Sequence, residues 1–277
     1  MSTNDHVVPS LSGEGLPPAQ PRWSAAGEPR PARREDGERP RSFIGHYQIV
    51  SVIDSTAVGR DAGSVLGGDP CGIPVVGGLM ESIRMSERLP DYLIFGVAPS
   101  SGLLSPVERQ VMLDAMSHGM SIVNGLHEFM NDDGEFVAAA AAYGVTMIDV
   151  RRPPAKTDLH MFTGRIAEVS CPRIAVLGTD SAIGKRTTAT ILTRELRARG
   201  LNAVMIGTGQ TGLIQGARYG IALDAIPCQF CSGEMEATVV EAFEQESPDV
   251  IVIEVGALSH PAYLSSTFIL RGASRAR

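Results

Sequence analysis

The sequence lacks the features that mark secreted and membrane-spanning proteins. Its four cysteines are too few for the dense disulfide framework of a small secreted domain. Its longest apolar runs, such as "DVIVIEVGAL", are far shorter than the roughly 20 residues that a membrane helix needs. The N-terminus has no charged start followed by an apolar stretch, which argues against a secretory signal. These absences predict a soluble, cytoplasmic protein with no membrane partner.

The chain also lacks an excess of positive charge. It carries 24 Lys+Arg against 31 Asp+Glu, a formal net charge of −7. This balance argues against nucleic acid as the main partner and favours a small-molecule substrate. Self-association stays open. With 277 residues, 43% of them hydrophobic, the chain can build one large domain or two.

Residues 1–42 differ in composition from everything that follows. The stretch "LSGEGLPPAQPRWSAAGEPRPARREDGERPRS" is rich in proline and mixed charge and has almost no aliphatic clusters. Such a segment buries too little apolar area to offset the entropy lost on ordering. We therefore predict a disordered N-terminal tail over residues 1–42.

From residue 43 onwards, short apolar runs alternate with helix-like segments. "YQIVSVID", "DYLIFGVAP", "SIVNGL" and "VTMIDV" are typical of buried parallel strands. Ser105 and Glu108 form a capping-box signature that predicts the start of a helix. The alternation predicts an α/β fold with a parallel sheet in a first domain, residues 43–152. An irregular stretch, 153–171, predicts a linker, and a second α/β domain follows over 172–277.

The second domain opens with "VLGTDSAIGKRTTATIL", in which a strand runs straight into a glycine-bearing turn and a helix. Such a turn aims backbone N–H groups into one concavity, while the helix start and a lysine add positive charge. This order predicts a phosphate-binding loop. The residues predicted to contact the phosphate-bearing ligand are Gly178, Thr179, Asp180, Ser181, Gly184, Lys185, Arg186 and Thr187.

The loop departs from the strict G-x-x-x-x-G-K-[ST] pattern at two places. Gly178 lies one residue too early, and Arg186 replaces the hydroxyl that would bind magnesium. Thr187 is next in line but points about 100° further around the helix. The motif therefore indicates a phosphate without indicating which one.

Further candidate residues follow the ends of predicted strands, where open α/β sheets gather their ligand groups. Gln210 in "GTGQTG" is a candidate for substrate binding. Glu254 ends the strand "VIVIE", where an acid can orient magnesium or water or act as a general base. His260 is the alternative base. Arg186 or Arg218 can hold a substrate carboxylate through a forked pair of hydrogen bonds.

Two weaker motifs lead to no predicted site. Asp54 ends a strand as a ribose-binding acid does, but no G-x-G-x-x-G precedes it. Cys228 and Cys231 in "CQFC" have the spacing of a redox pair or half a zinc site, yet no second pair completes a metal site. We therefore predict buried, unreactive cysteines and no bound metal.

The residues of the loop and of two later segments carry a resemblance to known enzymes. "GTDSAIGK" resembles the loop of dethiobiotin synthetase-type P-loop enzymes. The fuller set "GTDSAIGKRTTA", "IGTGQTGLIQG" and "GALSHPAY" resembles the D-glutamate N-acetyltransferase family, once classed as a domain of unknown function. That family joins a Rossmann-like N-terminal domain to a P-loop NTPase-like domain and has an arginine after Gly-Lys. The resemblance spans roughly residues 47–270.

The resemblance implies transfer of an acetyl group from acetyl-CoA to a D-amino acid such as D-glutamate. The loop would hold the coenzyme's phosphates, and Glu254 or His260 would be the base. Departures from the family's pattern include Gln229, where an acid usually precedes the phenylalanine, and the loss of segments at both ends. The resemblance thus predicts a member shortened at both ends.

Two other functions stay open at this point. One is ATP-dependent activation or phosphorylation of a carboxylate, as in dethiobiotin synthetase, with Thr187 or Asp180 helping to bind magnesium. The other is a catalytically silent nucleotide-binding protein.

Overall fold

The computed structural model describes residues 43–44, 47–96, 103–178, 183–215 and 217–257. The predicted disordered tail, residues 1–42, lies outside this range. The chain divides into two compact units, Met1–Val150 and Arg151–Arg277. No helix among the described residues is long and apolar enough to span a bilayer.

The first unit consists of short strands and helices. Its strands are β1 (Phe43–Ile44), β2 (Tyr47–Gln48), β3 (Val52–Ile53), β4 (Val75–Val76), β5 (Tyr92–Phe95), β6 (Ser121–Asn124) and β7 (Met147–Asp149). Its helices are α1 (Ala62–Val65), α2 (Leu79–Met85), α3 (Pro106–Ser117) and α4 (Gly134–Tyr143). Strands β3 and β4 pair in parallel, as do β5, β6 and β7, while β1 and β2 pair antiparallel.

Strands β3 to β6 and helices α2 to α4 share one hydrophobic core, which includes Ile53, Phe95, Met112, Ile122 and Phe136. Buried strands with helices packed on them confirm the predicted Rossmann-like α/β unit. The prediction of a single strand over "YQIVSVID" is wrong, because its two halves pair with different partners. The first half pairs with β1 and the second with β4.

The start of α3 follows from local sequence, as the capping box predicts. Ser105 Oγ accepts a hydrogen bond from the Glu108 N–H at 3.3 Å, and Glu108 Oε2 accepts one from the Ser105 N–H at 2.8 Å. Pro106 occupies the first helical position, where its missing N–H costs nothing.

The second unit is built on a four-stranded parallel sheet. Its strands are β8 (Arg173–Gly178), β9 (Ala203–Gly207), β10 (Tyr219–Gly220) and β11 (Val250–Ala257). Its helices are α5 (Lys185–Ala198), α6 (Gln210–Ile214) and α7 (Cys228–Glu246). The strand order is β10-β9-β11-β8, so β11, the last strand among the described residues, lies between the first two strands of this unit. This sheet confirms the predicted P-loop-type α/β unit.

Helices cover both faces of this sheet. Ile251, Ile253 and Val255 of β11 join the core cluster that contains Met235 and Val239 of α7. Helix α5 contacts β8, β9 and β11 but contributes nothing to that cluster. Successive side chains of a strand point to opposite faces, so Val252 and Glu254, which alternate with these three residues, point to the α5 face.

The stretch 153–171, predicted as a linker, is in part packed against the second unit. Leu159, Ile166 and Val169 are buried in the cluster around α7. We call residues 159–169 the α7 strap. An irregular, proline-containing sequence has no helical or strand period, so its burial could not be predicted from a pattern.

Candidate functional site

Three strands of the second unit place two glycines and one glutamate near the same edge of the sheet. β8 ends at Gly178 and β9 ends at Gly207. In β11, Glu254 lies opposite Val176 of β8, and the register shifts between Glu254 and Ala257 so that Ala257 lies opposite Gly178. The carboxyl ends of parallel strands are the usual ligand-binding edge of an open α/β sheet. Glu254 therefore lies on the strand next to the predicted phosphate loop.

The start of α5 has the geometry of an anion-binding helix terminus. Gly184 is its N-cap and has a φ of 94°, in the left-handed region that glycine adopts at no steric cost. The first intrahelical hydrogen bond runs from the Thr188 N–H to the Gly184 carbonyl at 2.9 Å. The amides before Thr188 therefore have no carbonyl partner within the helix itself, and the helix dipole is positive there.

Lys185 folds back onto the end of β8. A Cβ built on Gly178 would lie 2.7 Å from Lys185 Cδ, 2.9 Å from Lys185 Cγ and 2.6 Å from Ile183 Cδ1. Only a glycine at position 178 leaves room for the lysine stem to pass so close to the strand. The structure thus brings Gly178 and Lys185 together, and Gly184 directly precedes this lysine as the N-cap of α5. Their contact with a phosphate stays a prediction. Arg186 is half-buried and Thr187 is exposed in the first turn of α5.

Glu254 points to the α5 face, and its Oε2 atom is buried. A Cβ built on Gly212 of α6 would lie 3.4 Å from Glu254 Oε2 and 3.2 Å from the Cα of Gly207. Gly212 of α6, which packs on Gly207 at the end of β9, therefore lies close to the carboxylate with no side chain of its own in between. Gln210, the first residue of α6, is half-buried on the same short helix.

Arg218 is engaged by two other side chains of the second unit. It forms an ion pair with Glu246 in the last turn of α7, and its guanidinium lies 5.4 Å from the ring centroid of Tyr219. Its predicted role as a substrate ligand stays a prediction. His260, Thr179, Asp180 and Ser181 lie outside the described residues, so their predicted roles also stay predictions.

Asp54, the weak candidate of the first unit, forms a local turn. Its Oδ1 accepts hydrogen bonds from the Thr56 N–H at 2.9 Å and the Thr56 hydroxyl at 2.7 Å. Such a bond to a residue two positions on is the usual turn-forming role of aspartate.

Sequence reasoning missed a second carboxylate at a strand end, Asp149 of β7. It accepts hydrogen bonds from the Asn124 amide at 2.8 Å, from the Met130 N–H at 3.0 Å and from Asn131. Burial would raise its pKa, but these hydrogen bonds outweigh burial and lower the pKa. The carboxylate therefore holds the turn that follows β6. The sequence signal that could have revealed this pair is a polar residue at the end of each strand, Asn124 of β6 and Asp149 of β7.

His160 and Glu234 form another pair that the sequence did not reveal. His160 Nδ1 lies 2.9 Å from Glu234 Oε1, and the Glu234 side chain is buried while the imidazole is exposed. The two residues are 74 positions apart and belong to no motif. Among the described residues, no group of three His, Cys, Asp or Glu side chains could hold a metal ion.

Comparisons with known proteins agree with this architecture. A family model described as "Domain of unknown function (DUF1611_N) Rossmann-like domain" matches residues 55–153. A second, described as "Domain of unknown function (DUF1611_C) P-loop domain", matches residues 160–276. A solved structure of a DUF1611 family protein from Anabaena variabilis is 29% identical, with a TM-score of 0.74. The match covers 83% of this chain and 64% of that one.

Two curated relatives are each called D-glutamate N-acetyltransferase. The one from Tritonibacter scottomollicae is 32% identical over 64% of this chain and 51% of its own length. The one from a Pseudoalteromonas species is 30% identical over 61% of this chain and 49% of its own length. The chain thus spans about half the length of the curated relatives it matches.

Proposed function

Because this chain belongs to the DUF1611 family, we propose that it transfers an acetyl group from acetyl-CoA to the amine of a D-amino acid such as D-glutamate. The names of the two curated relatives suggest this reaction. One observation carries the proposal: Lys185 folds over Gly178 at the end of β8, one strand away from Glu254. A lysine and a carboxylate on neighbouring strands of one sheet edge support an anion site beside a proton acceptor.

The residues at the start of α5 fit the phosphates of coenzyme A. An anion there is stabilised by the helix terminus, by the backbone amides that follow Gly184 and by the ammonium of Lys185. Arg186 stands where nucleotide-hydrolysing loops place their magnesium-binding hydroxyl. Binding a diphosphate without cleaving it needs no such hydroxyl. A loop with arginine at that position therefore suits coenzyme A better than a hydrolysed nucleotide.

Glu254 accepts the proton that the substrate ammonium must lose to become a nucleophile. Bound acetyl-CoA would supply the acetyl group as a reactive thioester. Gly207 and Gly212 pack closely beside the carboxylate, and a Cβ on Gly212 would lie 3.4 Å from Glu254 Oε2. His260, the alternative base, lies outside the described residues.

We further propose that Arg186 or Arg218 holds a carboxylate of the acceptor. Arg186 is half-buried in the first turn of α5, and Arg218 forms an ion pair with Glu246. A guanidinium holds a carboxylate through two parallel hydrogen bonds, which fixes the orientation of the substrate.

A specific observation also favours a second function, ATP-dependent activation of a carboxylate. Glu254 lies on the strand next to the phosphate-loop strand, and P-loop NTPases carry a magnesium-binding acid in their Walker B segment. Thr187 would then have to replace the missing hydroxyl at position 186. This function requires magnesium, and the acetyl transfer does not.

Calorimetry and a turnover assay separate the candidates. We expect acetyl-CoA to bind without magnesium and D-glutamate to be acetylated, with L-glutamate as the stereochemical control. Magnesium-dependent ATP binding without acetyl-CoA binding would favour the second function. Binding without turnover in either assay would indicate a silent binding protein.

The variant Lys185→Ala tests the anion site directly. Loss of one charged hydrogen-bonding group costs about 1.5–3 kcal/mol, so acetyl-CoA affinity should fall about 10- to 100-fold. Lys156→Ala, an exposed lysine of the same unit, is the matched control and should bind normally. Equal affinities of the two variants would remove the loop from the proposal.

A further inference from the structure

We propose that Cys228 and Cys231 form a redox pair, which closes to an intrachain disulfide by exchange with a low-molecular-weight disulfide such as oxidised glutathione. The sequence led us to expect two buried, unreactive cysteines. The expected burial is wrong for Cys228, which is exposed, and is confirmed for Cys231. Thiol–disulfide exchange requires an accessible attacking thiol, and Cys228 meets that requirement.

The two cysteines occupy the first turn of a long helix. Helix α7 begins at Cys228 and runs for 19 residues. Residues three apart on an α-helix have Cα atoms about 5 Å apart and side chains on neighbouring positions of one face. Disulfides join Cα atoms about 4.4–6.8 Å apart. The Cα separation therefore suits a disulfide, and closure has to bring the two Cβ atoms from about 5–6 Å to about 3.5–4.5 Å.

The environments of the two thiols assign them different roles. Cys231 is 2% exposed, and its Sγ lies 3.8 Å from the carbonyl oxygens of Leu223, Ile226 and Pro227. Burial raises the pKa of the Cys231 thiol to about 11, and the neighbouring Cys228 thiol adds to this rise. An external disulfide can reach only Cys228. Cys231 is then the group that resolves the mixed disulfide.

A zinc half-site is the other use of this spacing. It would need two more ligands from this chain or from a partner. Within the part of the chain that the structure describes, no third His, Cys, Asp or Glu completes a metal cluster with the pair. The pair therefore suits a two-thiol reaction better than a tetrahedral metal.

The proposed reaction balances in two steps. The Cys228 thiolate attacks one sulfur of the external disulfide, forms a mixed disulfide and releases one thiolate. Cys231 loses its proton, attacks Cys228 Sγ and displaces the second thiolate. The protein loses two hydrogen atoms, and the external disulfide is reduced to two thiols.

Mass spectrometry of the full chain tests the proposal. The protein is incubated with oxidised glutathione, the remaining thiols are alkylated, and the digest is analysed. We expect the peptide with both cysteines to be lighter by two hydrogen atoms and free of alkylation, and dithiothreitol should reverse this. A persistent glutathione adduct on Cys228, or full alkylation of both cysteines, would overturn the proposal.

Single variants test the roles of the two thiols. Cys231→Ser should stop at the mixed disulfide on Cys228, whereas Cys228→Ser should stay unmodified. Cys171→Ser, a half-buried cysteine elsewhere in the unit, is the control and should still form the internal disulfide. An adduct on Cys231 in the Cys228→Ser variant would contradict the assigned order. Protection of the wild-type thiols by zinc alone, reversed by a chelator, would favour a metal site instead.

Discussion

The hydrogen bonds that Glu236 accepts should stabilise the α7 strap, and Glu236→Gln tests this. Glu236 is 3% exposed on α7. Its Oε2 accepts from the Thr163 N–H at 2.7 Å and the Thr163 hydroxyl at 2.9 Å, and its Oε1 accepts from the Ile166 N–H at 3.0 Å. Glutamine has the same shape, but one of the two acceptor oxygens becomes an NH₂ group. That group cannot accept a hydrogen bond.

The expected loss follows from these contacts. Leaving the buried N–H of Ile166 or the partly buried N–H of Thr163 without an acceptor costs about 1–3 kcal/mol. The hydrogen bonds that remain lose their charge and weaken by about 1 kcal/mol each. We therefore expect the free energy of unfolding of the second unit to fall by about 3 kcal/mol, a large part of the 5–15 kcal/mol that is typical of a domain.

The pH dependence has a definite sign. Burial would raise the pKa of Glu236, but the hydrogen bonds from Thr163 and Ile166 outweigh it and lower the pKa from its ordinary 4.5. A carboxyl with a lowered folded pKa stabilises the fold above its unfolded pKa and loses that contribution as the pH falls through the folded pKa. The wild type should therefore lose stability in acid below about pH 5, and Glu236→Gln should lose less over the same interval.

Urea unfolding and hydrogen exchange measure these effects. Unfolding is followed by circular dichroism at neutral and acid pH, and exchange is followed on peptides that cover the α7 strap. Glu244→Gln on the same helix is the matched control. Its carboxylate is exposed and pairs with Arg165 at 2.6 Å, so its removal should cost less than about 1 kcal/mol. Equal losses in the two variants, or unchanged exchange in the strap, would refute the reasoning.

Three further variants probe the site and its support. Gly178→Ala would place a methyl group 2.7 Å from Lys185 Cδ, and the flexible lysine side chain would have to move. Calorimetry should therefore show about tenfold weaker acetyl-CoA binding, at little cost in melting temperature. Unchanged affinity would contradict the placement of the lysine. Gly233→Ala would place a methyl group 2.1 Å from the backbone oxygen of His160, so urea unfolding should show a loss of about 3 kcal/mol. A neutral result would mean that the strap does not lie against α7. Glu254→Gln should lower the rate of acetyl transfer about 100-fold or more at unchanged acetyl-CoA affinity, and a normal rate would exclude Glu254 as the base.

Local patterns were sufficient where structure depends on neighbouring residues. The capping box at Ser105 and Glu108 predicted the start of α3, because both partners lie within one turn. The order of strand, glycine turn, lysine and helix placed Gly184 and Lys185 at the start of α5 for the same reason. Burial of the α7 strap depends instead on contacts between segments some 70 positions apart, such as Thr163 and Glu236.

By itself, the sequence determined the class of fold, the two α/β units and the glycine–lysine start of α5, because each rests on short-range periodicity and turn chemistry. Only the tertiary structure decided that β11 lies between β8 and β9, which puts Glu254 on the strand next to β8. It also decided that Cys228 is exposed while Cys231 is buried. Strand order and burial are set by the packing of distant segments around a common core, and no local pattern records that packing.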